Sequence, residues 1–320
     1  MLTATALGRR VSVRRLAEGA PGKQTDALGY LLDVTPDHFE VLTRGAVMTI
    51  PRAAVTAARI VPPATPRRGW AVPAISPDDL QRVCWAGWPA RDQQPIGDWV
   101  LRAHGGVTGR ANSAMAVGDP GAPLAEALAR TAEWYAGRGL PPLLQLPLAD
   151  PANQPMADAG WVRAHVTVVQ VAPIDPVLAS LAAPAGLRAA VAPTPSQEWL
   201  SLMHDLDARD PDAHVAILTG PRVVGFGTVY DDGAGGEPVG IGRVSVEGRW
   251  AGVTSVDVAP AGRRRGVGSA VMAALLGWAR EQGAVSSYLQ VRAGNPAALR
   301  LYDALGYVTH HPYCYRSLVE

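Results

Sequence analysis

The hydrophobic pattern of the chain is clearest between residues 253 and 307, where its period changes several times. Residues 254 to 258 alternate around β-branched positions, which is typical of a strand. A helical period follows, with one apolar side formed by Val267, Val271, Leu275 and Trp278. Residues 287 to 291 then return to the strand pattern. The order predicts a strand, a long helix and a second strand.

The ends of the helices carry residues that usually start and stop helices. Gly283 follows the long helix, where glycine can take the left-handed conformation of a helix C-terminus. A second helix is predicted to begin with Asn295 as N-cap and Pro296 at its first position, and Gly306 closes it. These local signals fix the boundaries of both helices.

The segments before and after this unit extend it into a domain of the α+β class over residues 185 to 320. Further strands are predicted over residues 187–191, 223–230, 239–246, 250–258 and 307–318. A helix is predicted over residues 197 to 206, and Gly-containing turns separate the central strands. The expected core is an open sheet with helices packed on it.

The first sixty residues have a different rhythm, in which Gly, Pro and Asp separate short strands. Strands are predicted over residues 10–16, 28–34, 38–43 and 47–51. About five such strands predict a small SH3-like β-barrel over residues 1 to 62. Its arginines could touch nucleic acid, but interspersed acids and few aromatics favour an ordinary solvated surface. The proline-rich linker at 62–69 predicts a separate fold that is dispensable for chemistry.

Residues 70 to 172 repeat the C-terminal pattern in outline. Strands are predicted over residues 99–104, 110–117, 143–146 and 162–171, and a helix over residues 123–137. Trp134 precedes Gly139 by the same interval at which Trp278 precedes Gly283. The alternative is a coincidence of a common strand–helix–strand rhythm. A second proline-bearing linker is predicted over residues 172 to 186.

The candidate chemistry lies in the loop before the long helix, Arg263-Arg264-Arg265-Gly266-Val267-Gly268. Free N–H groups up to Ser269 and the helix dipole favour an anion there, and glycines let a phosphate approach the backbone. Three arginines suit a pyrophosphate. The alternative is an ordinary turn with solvated arginines. A Rossmann site is disfavoured because Val271 replaces the third small residue, and a Walker loop is excluded because no Gly-Lys-Ser/Thr follows.

Two motifs together resemble the GNAT acyl-CoA N-acetyltransferases. The first is Arg263-x-x-Gly266-x-Gly268 after a strand, and the second is Asn295-x-x-Ala298-x-x-x-Tyr302-x-x-x-Gly306-Tyr307. The resemblance covers about residues 185 to 320. It implies the GNAT fold, acetyl-CoA as cosubstrate, no metal, and transfer of an acetyl group to an amine.

The resemblance extends to the middle region only in outline. Asp119, Ala122 and Leu124 stand where the phosphate-loop residues would fall, and Met156 lies near the position of Tyr302. A carboxylate at Asp119 would repel a pyrophosphate. The resemblance thus implies tandem GNAT-like lobes after the barrel, with a degenerate lobe over residues 70–172 and a catalytic domain over 185–320.

The resemblance also implies roles for individual residues. The CoA pyrophosphate would be held by Arg263, Arg264, Arg265, Gly266, Val267, Gly268 and Ser269. The pantetheine arm would pair with the backbone of Val256, Asp257 and Val258 and contact Asn295. Tyr302 would face the thioester sulfur and give the departing thiolate a proton.

The general base is harder to predict. Many relatives carry a glutamate on the face of Val256 and Val258, where the chain offers only Gly252 and Thr254, and strand alternation predicts that Asp257 points away. Glu247, at the preceding turn, is the first candidate for the base. The next candidates are His310 and His311. Proton removal through water is the remaining alternative.

The predicted acceptor is a small-molecule amine. The whole arrangement resembles an actinobacterial family with an SH3-like module and a GNAT domain, for which N-acetylglutamate synthesis has been proposed, so L-glutamate is the first choice. Alternatives are acetylation of protein (histone-like) lysines or N-termini, a mycothiol synthase-like reaction, and a non-catalytic CoA-sensing module. Candidate arginines for a carboxylate are Arg243, Arg249, Arg292 and Arg316.

Composition limits the binding partners and the cellular location that we expect for the protein. The 320-residue chain has a formal net charge of +1, so no global field directs it to nucleic acid or to a membrane. Its two cysteines, Cys84 and Cys314, make no disulfide framework and fit a reducing cytoplasm. No apolar run reaches bilayer length, and the N-terminal charges are in the wrong order for a signal peptide. A homodimer is compatible with the sequence.

Overall fold

The N-terminal strands form their own sheet. The computed structural model describes residues 2–17, 22–64, 66, 68–181 and 185–318. The first five strands are β1 (Arg10–Leu16), β2 (Gln24–Val34), β3 (His38–Thr43), β4 (Ala46–Pro51) and β5 (Val55–Ile60). They pair antiparallel in the order β4-β3-β2-β1-β5 around a core that includes Val11, Leu31 and Phe39. The predicted strands are present, and β2 begins earlier than predicted.

The remaining strands form one mixed sheet of eleven strands. They are β6 (Asp92–Ile96), β7 (Trp99–Ala103), β8 (Ala114–Met115), β9 (Leu143–Pro147), β10 (Trp161–Pro173), β11 (Leu187–Ala192), β12 (Val224–Asp231), β13 (Glu237–Glu247), β14 (Trp250–Val258), β15 (Ser286–Arg292) and β16 (Val308–Leu318). The helices of the described residues are α1 (Pro77–Ala86), α2 (Leu124–Ala136), α3 (Asn153–Asp158), α4 (Ile174–Ser180), α5 (Gln197–Leu202), α6 (Pro211–Thr219), α7 (Val267–Glu281) and α8 (Pro296–Ala304).

The order of the large sheet has an internal symmetry. It runs β11-β12-β13-β14-β15-β10-β16-β9-β8-β7-β6. Each half contains one parallel pair joined through a helix: α2 connects β8 to β9, and α7 connects β14 to β15. The last strand of each half crosses into the other half, so β10 pairs with β15 and β16 pairs with β9. The two regions that the sequence separates therefore share one continuous sheet.

Helix α7 packs closely on the sheet because glycines on the facing strands lack side chains. A Cβ added at Gly242 would lie 2.6 Å from Val271 Cγ1, and one at Gly227 would lie 2.8 Å from Leu275 Cδ2. Val267, Val271 and Leu275 are fully buried in this contact. The predicted apolar side of the helix is thereby confirmed, and it holds the N-terminus of α7 at the end of β14.

Several predicted elements need correction. Of the strand predicted over residues 110–117, only β8 is a strand, and most of the predicted linker over 172–186 is occupied by β10 and α4. Residues 182–184 of that linker lie outside the described residues. The helix predicted over 197–206 ends at Leu202. Helices α1 and α6 and strand β6 were not predicted, although Ser76-Pro77 and Asp210-Pro211 are helix-start signals, and both caps accept a backbone N–H.

The N-terminal domain is not separate from the large sheet. The Tyr30 hydroxyl donates to the carbonyl of Thr309 on β16 (3.0 Å), and Arg163 on β10 donates to the carbonyl of Leu32 (2.9 Å). Leu32 and Leu42 belong to the main apolar core rather than to that of the small sheet. The expectation of an independent N-terminal unit is thus at odds with this packing.

Candidate functional site

The site begins where two parallel strands part. Residues Trp250–Val253 of β14 pair with Ser286–Leu289 of β15, and beyond them the pairing stops. The far part of β14 remains paired with β13 but leaves its other edge free. The free edge has unsatisfied N–H and C=O groups that an extended ligand could pair with.

A β-bulge accompanies the parting of the strands. The register between β13 and β14 shifts between the pairs Arg243–Thr254 and Ile241–Asp257. Ser255 lies in the bulge with a φ of 51°, the left-handed region that few non-glycine residues adopt. The extra residue reverses the alternation of side chains for the rest of the strand.

The bulge corrects the orientation predicted for Asp257. Val258 faces α7, since its Cγ2 lies 3.9 Å from a Cβ added at Gly268. Asp257 lies on the opposite face, where its Oδ2 accepts the backbone N–H of His204 (3.2 Å). Thr254 is on that same face and accepts a hydrogen bond from Arg243. Asp257 therefore shares a face with Thr254, whereas simple alternation would have placed Val256 and Val258 there.

The loop after β14 turns the chain into the N-terminus of α7. Arg264 (φ 63°) and Gly266 (φ 79°) are both left-handed, and the first backbone hydrogen bond of the helix runs from Ala270 N–H to Gly266 O (3.0 Å). The N–H groups of Val267, Gly268 and Ser269 precede that bond. These donors and the dipole of a fifteen-residue helix form a local field suited to an anion.

The three arginines of the loop are not equivalent. Arg265 is held by Asp231 through a 2.5 Å ion pair, and the Asp231 side chain is only 6% exposed. Its partner Arg265 lowers the pKa of Asp231 by hydrogen bonding. Arg263 and Arg264 are exposed and form no ion pair with a described residue. The free cations at this helix start are therefore Arg263 and Arg264, whereas Arg265 braces the loop.

Helix α8 brings Tyr302 to the parting strands. The Asn295 side chain caps α8 by accepting the Ala298 N–H (3.0 Å), as predicted. Tyr302 is 8% exposed and packs edge-to-face on Tyr307, with 5.8 Å between the ring centroids. Its hydroxyl has no hydrogen-bond partner among the described residues. Burial, with a contribution from the Asp257 charge, raises the pKa of Tyr302 to about 12, so the hydroxyl keeps its proton at neutral pH.

A large cavity of about 1350 Å³ opens at this place. Residues 253–257 and 289–295 line it together with Ala298 and Tyr302, so most of the predicted ligand-binding residues of β14 and α8 meet there. The other walls come from residues 108–110 and Trp88, from β10, and from Leu32, Asp33, Glu40 and Val47 of the N-terminal domain. Three parts of the chain thus enclose one cleft.

Asp257 has the properties of a general base in this cleft. Burial raises the pKa of its carboxyl above the ordinary value, and the neighbouring Asp205 charge acts in the same direction. The His204 N–H opposes this shift by stabilising the ionised form. A carboxylate with a raised pKa is a stronger proton acceptor than a solvated one. Strand alternation did not predict this placement of Asp257, because the bulge at Ser255 has no local sequence signal.

The predicted bases lie elsewhere. Glu247 is exposed at the hairpin between β13 and β14, paired with Trp250 at the other end of β14 from Asp257, and it does not line the cavity. His310 and His311 are joined through their Nδ1 atoms (2.7 Å) and contact Ile75 and Gln81 beneath α1. Burial lowers the pKa of His311 to about 3. The structure brings none of the three together with Tyr302.

The predicted carboxylate-binding arginines are also mostly structural. Arg243 is fully buried and donates to the carbonyls of Leu218 (2.7 Å) and Gly87 (3.0 Å). Arg316 donates to Asn153 (2.9 Å) and to the carbonyl of Trp161 (2.6 Å). Arg249 is exposed and does not line the cavity, and Arg292 is the member of the predicted set that does.

The corresponding loop in the first half of the sheet is built differently. Helix α2 starts after Pro123 without a side-chain cap, and Glu126 lies in its first turn. The backbone N–H groups of Asp119 and Gly121 are taken by the carboxylates of Asp98 (2.9 Å) and Asp119 (2.8 Å). Met156 is fully buried in the core. This loop offers carboxylates where the C-terminal loop offers arginines.

The parted strands, the arginine-bearing loop before α7 and the tyrosine of α8 are the arrangement expected of an N-acetyltransferase of the GNAT type. A family model described as "Probable histone acetyltransferase Rv0428c C-terminal" matches residues 79–316, and a model described as "Rv0428c N-terminal Sm-like domain" matches residues 5–59. Because the first match spans well over half of the chain, the chain belongs to this family. The N-terminal domain is described there as Sm-like, so the predicted SH3-like assignment is not confirmed.

Individual relatives agree with this assignment. The chain is 29% identical over 324 residues to the "Probable histone acetyltransferase Rv0428c" of Mycobacterium tuberculosis, covering 97% of this chain and 95% of the relative. It is 28% identical over 242 residues to the "Uncharacterized N-acetyltransferase YobR" of Bacillus subtilis, covering 73% of this chain and 96% of the relative.

Solved structures share the fold. A GCN5-related N-acetyltransferase from Kribbella flavida superposes with a TM-score of 0.54 at 20% identity, covering 76% of this chain and 93% of that chain. A tandem GNAT protein from the clavulanic acid biosynthesis pathway gives a TM-score of 0.50 at 16% identity, covering 60% and 68%. Within the described residues no helix is long and apolar enough to cross a bilayer, and no group of metal-ligating side chains is found.

Proposed function

We propose that this chain moves the acetyl group of acetyl-CoA to a primary amine at the point where β14 and β15 part. The observation that carries the proposal is the convergence of Asp257 and Tyr302 on one cleft. The start of α7, where we propose that an anion binds, follows β14 directly. One group can accept a proton and the other can donate one, which is what acetyl transfer from a thioester to an amine requires.

The residues present fit acetyl-CoA, which supplies the activated acetyl thioester. Arg263, Arg264 and the amides of residues 267–269 would hold its pyrophosphate, and the absent side chain of Gly268 leaves room for it. The free edge of β14 over residues 256–258 would pair with the extended pantetheine arm. Asn295 uses its side-chain oxygen to cap α8, so its amide NH₂ group is left to donate to that arm.

Asp257 and Tyr302 would have complementary tasks in the cleft. Asp257 would take the proton of the incoming ammonium or amine, directly or through a water, because burial makes its carboxylate more basic. Tyr302 would keep its proton at Oη until the sulfur departs, since its pKa lies far above neutral pH. In this proposal Asp257 takes the role predicted for Glu247.

The first half of the sheet would be a degenerate GNAT-like lobe that serves as a wall. Its strand order mirrors that of the C-terminal half, and its loop at Asp119 lacks cations. The similarity of the fold to a tandem GNAT protein is consistent with this interpretation. The buried, unpaired Cys84 and Cys314 suit the reducing cytoplasm that we propose as the location.

The proposed acceptor is a small amine, with L-glutamate as the first compound to test. The enclosure of the cleft by three parts of the chain supports a small substrate. Protein lysines are the second candidate, which the name of the mycobacterial relative favours.

A thiol-release assay tests the proposed function. Purified protein and acetyl-CoA are combined with amino acids, polyamines, lysine-containing peptides and cysteinyl-sugar amines, and free CoA is measured. We expect acceptor-dependent release with at least one small amine and confirmation of the acetylated product by mass spectrometry. Release only with peptides would move the assignment to the protein-acetylating alternative, and no release with any acceptor would contradict catalysis.

A further inference from the structure

Arg110 is a cation of the cleft that has no task in the proposed acetyl transfer. Arg110 follows β7 and lines the cavity, with its guanidinium carbon 5.2 Å from the centre of the Trp88 ring. Its Nε is enclosed by protein and has no hydrogen-bond partner. Among the described residues Arg110 forms no ion pair with a carboxylate, and its side chain donates no hydrogen bond. A guanidinium in this state loses hydration without gaining a counter-ion.

A second arginine beside Trp88 differs from Arg110 in its hydrogen bonds. The guanidinium carbon of Arg243 also lies 5.2 Å from the Trp88 ring, but its nitrogens donate to two carbonyls and to the Thr254 hydroxyl. Arg243 has no carboxylate partner among the described residues. Burial lowers its pKa, and repulsion by Arg110 acts in the same direction. Two cations therefore lie close to one tryptophan, and of the two only Arg110 lines the cavity and has no hydrogen-bond acceptor among the described residues.

The groups around Arg110 do not neutralise it. Its titratable neighbours include Tyr313, Tyr288 and Cys84, and burial raises the pKa of each of these three groups, so they stay neutral at neutral pH. The carboxylates of the cleft lie elsewhere: Asp33 is paired with Arg163, and Asp205 and Asp257 lie together near His204. Glu40 lines the cavity from the N-terminal domain. The cleft thus has an acidic region at Asp257 and a cationic region at Arg110.

From this polarity we infer that the amine acceptor carries a carboxylate and that Arg110 binds it. The inference rests on the proposed function and names its substrate class: an amino-carboxylate, with the amine at Asp257 and the carboxylate on the guanidinium fork of Arg110. A guanidinium binds a carboxylate through two parallel hydrogen bonds, and a bound carboxylate would supply the missing counter-ion. Trp88 and the tyrosines would hold the guanidinium plane and exclude water.

Paired acceptors and a conservative variant series test the inference. Acetyl transfer is measured with amino acids and with their α-carboxamides, for the wild type, Arg110→Met, Arg110→Lys and the control Arg292→Met, which removes an exposed cavity arginine. We expect the wild type to prefer the carboxylate form. Arg110→Met should raise KM for the carboxylate form about 10- to 100-fold, because a hydrogen bond to a charged group usually contributes about that much to binding. The KM for the carboxamide should stay nearly unchanged. Arg110→Lys should fall between them, and Arg292→Met should keep the preference.

Binding without turnover separates this inference from the proposed function. Succinate, which has no amine, is titrated against each variant and the shift in Tm is recorded. We expect stabilisation of the wild type that is lost in Arg110→Met. The Tm of Arg110→Met without ligand should be equal to or above that of the wild type, because an unpaired buried charge is removed, whereas a purely structural arginine would lower Tm when lost.

Two results would overturn the inference. One is equal use of amino acids and their carboxamides by the wild type. The other is a uniform loss of activity toward all acceptors in Arg110→Met together with a lowered Tm. If no acceptor is acetylated at all, the proposed function fails, while succinate stabilisation that depends on Arg110 would still establish the carboxylate site.

Discussion

The role of Asp257 gives the sharpest prediction of the mechanism. Asp257→Asn keeps the size of the side chain and an oxygen that can accept the His204 N–H, now 3.2 Å from Oδ2. It removes the group that takes the proton of the amine. General-base assistance is typically worth about 10²- to 10⁴-fold, which corresponds to about 3 to 5 kcal/mol in the barrier. We therefore expect kcat/KM to fall by that range, with little change in acetyl-CoA affinity.

The pH dependence provides a second readout of the same variant. The wild-type kcat/KM should rise with pH through the pKa of Asp257, which burial has raised above its ordinary value, and Asp257→Asn should lose that limb. Because the folded pKa is raised, the protonated form stabilises the fold, and this contribution is lost as pH rises through that pKa. The Tm of Asp257→Asn minus the Tm of the wild type should therefore become more positive as pH rises from about 4 through the raised pKa of Asp257.

Asp205→Asn is the matched control, since it removes a neighbouring carboxylate of the cleft that is exposed. It should lower kcat/KM far less than Asp257→Asn. A kcat/KM within about threefold of wild type in Asp257→Asn, with an unchanged acid limb, would refute the role of this carboxylate and leave proton removal to water alone.

Three further predictions concern other parts of the site. Tyr302→Phe should lower kcat by about 10²- to 10⁴-fold, while acetyl-CoA affinity and Tm stay unchanged. A kcat within about twofold of wild type in steady-state kinetics would contradict its role as proton donor. Arg263→Met should weaken acetyl-CoA binding more strongly than Arg265→Met does. Arg265→Met should mainly lower Tm, because it leaves the buried Asp231 without its ion-pair partner. A larger loss of acetyl-CoA affinity in Arg265→Met, measured by calorimetry, would contradict these two assignments. Deletion of residues 2–62 should lower Tm and abolish turnover, because it exposes part of the apolar core and removes one wall of the cleft. A soluble and fully active truncated protein would instead show that the N-terminal domain is independent.

Local signals in the sequence predict the parts of the site that depend on one segment. Asn295 caps α8, Gly283 takes a left-handed φ after α7, and the apolar side of α7 is buried, all as the residues indicate. Each of these features follows from the chemistry of a few adjacent residues. The sequence therefore predicts the bounds and the buried side of α7 and the start of α8 well.

Features that depend on distant residues are not predictable in the same way. The bulge at Ser255 reverses the facing of Asp257, and neither its position nor its conformation is encoded in a local pattern. The crossing of β10 and β16 between the halves depends on pairing between strands more than a hundred residues apart. The contact of Arg110 with Trp88 likewise arises only when two separate loops meet, so the cationic region of the cleft has no sequence signature.

The central claim is that one acetyl-CoA binds at the loop over residues 263–269, and a calorimetric titration tests it most directly. Wild-type protein should bind one acetyl-CoA per chain. Gly268→Glu should lose binding while remaining folded, because a Cβ at this position meets only ordinary contacts at 3.7 Å and 3.9 Å, whereas the carboxylate would occupy the anion site. Ala122→Glu, at the corresponding loop of the first half, should bind like wild type. Two equivalent sites, or unchanged affinity in a folded Gly268→Glu, would contradict the account.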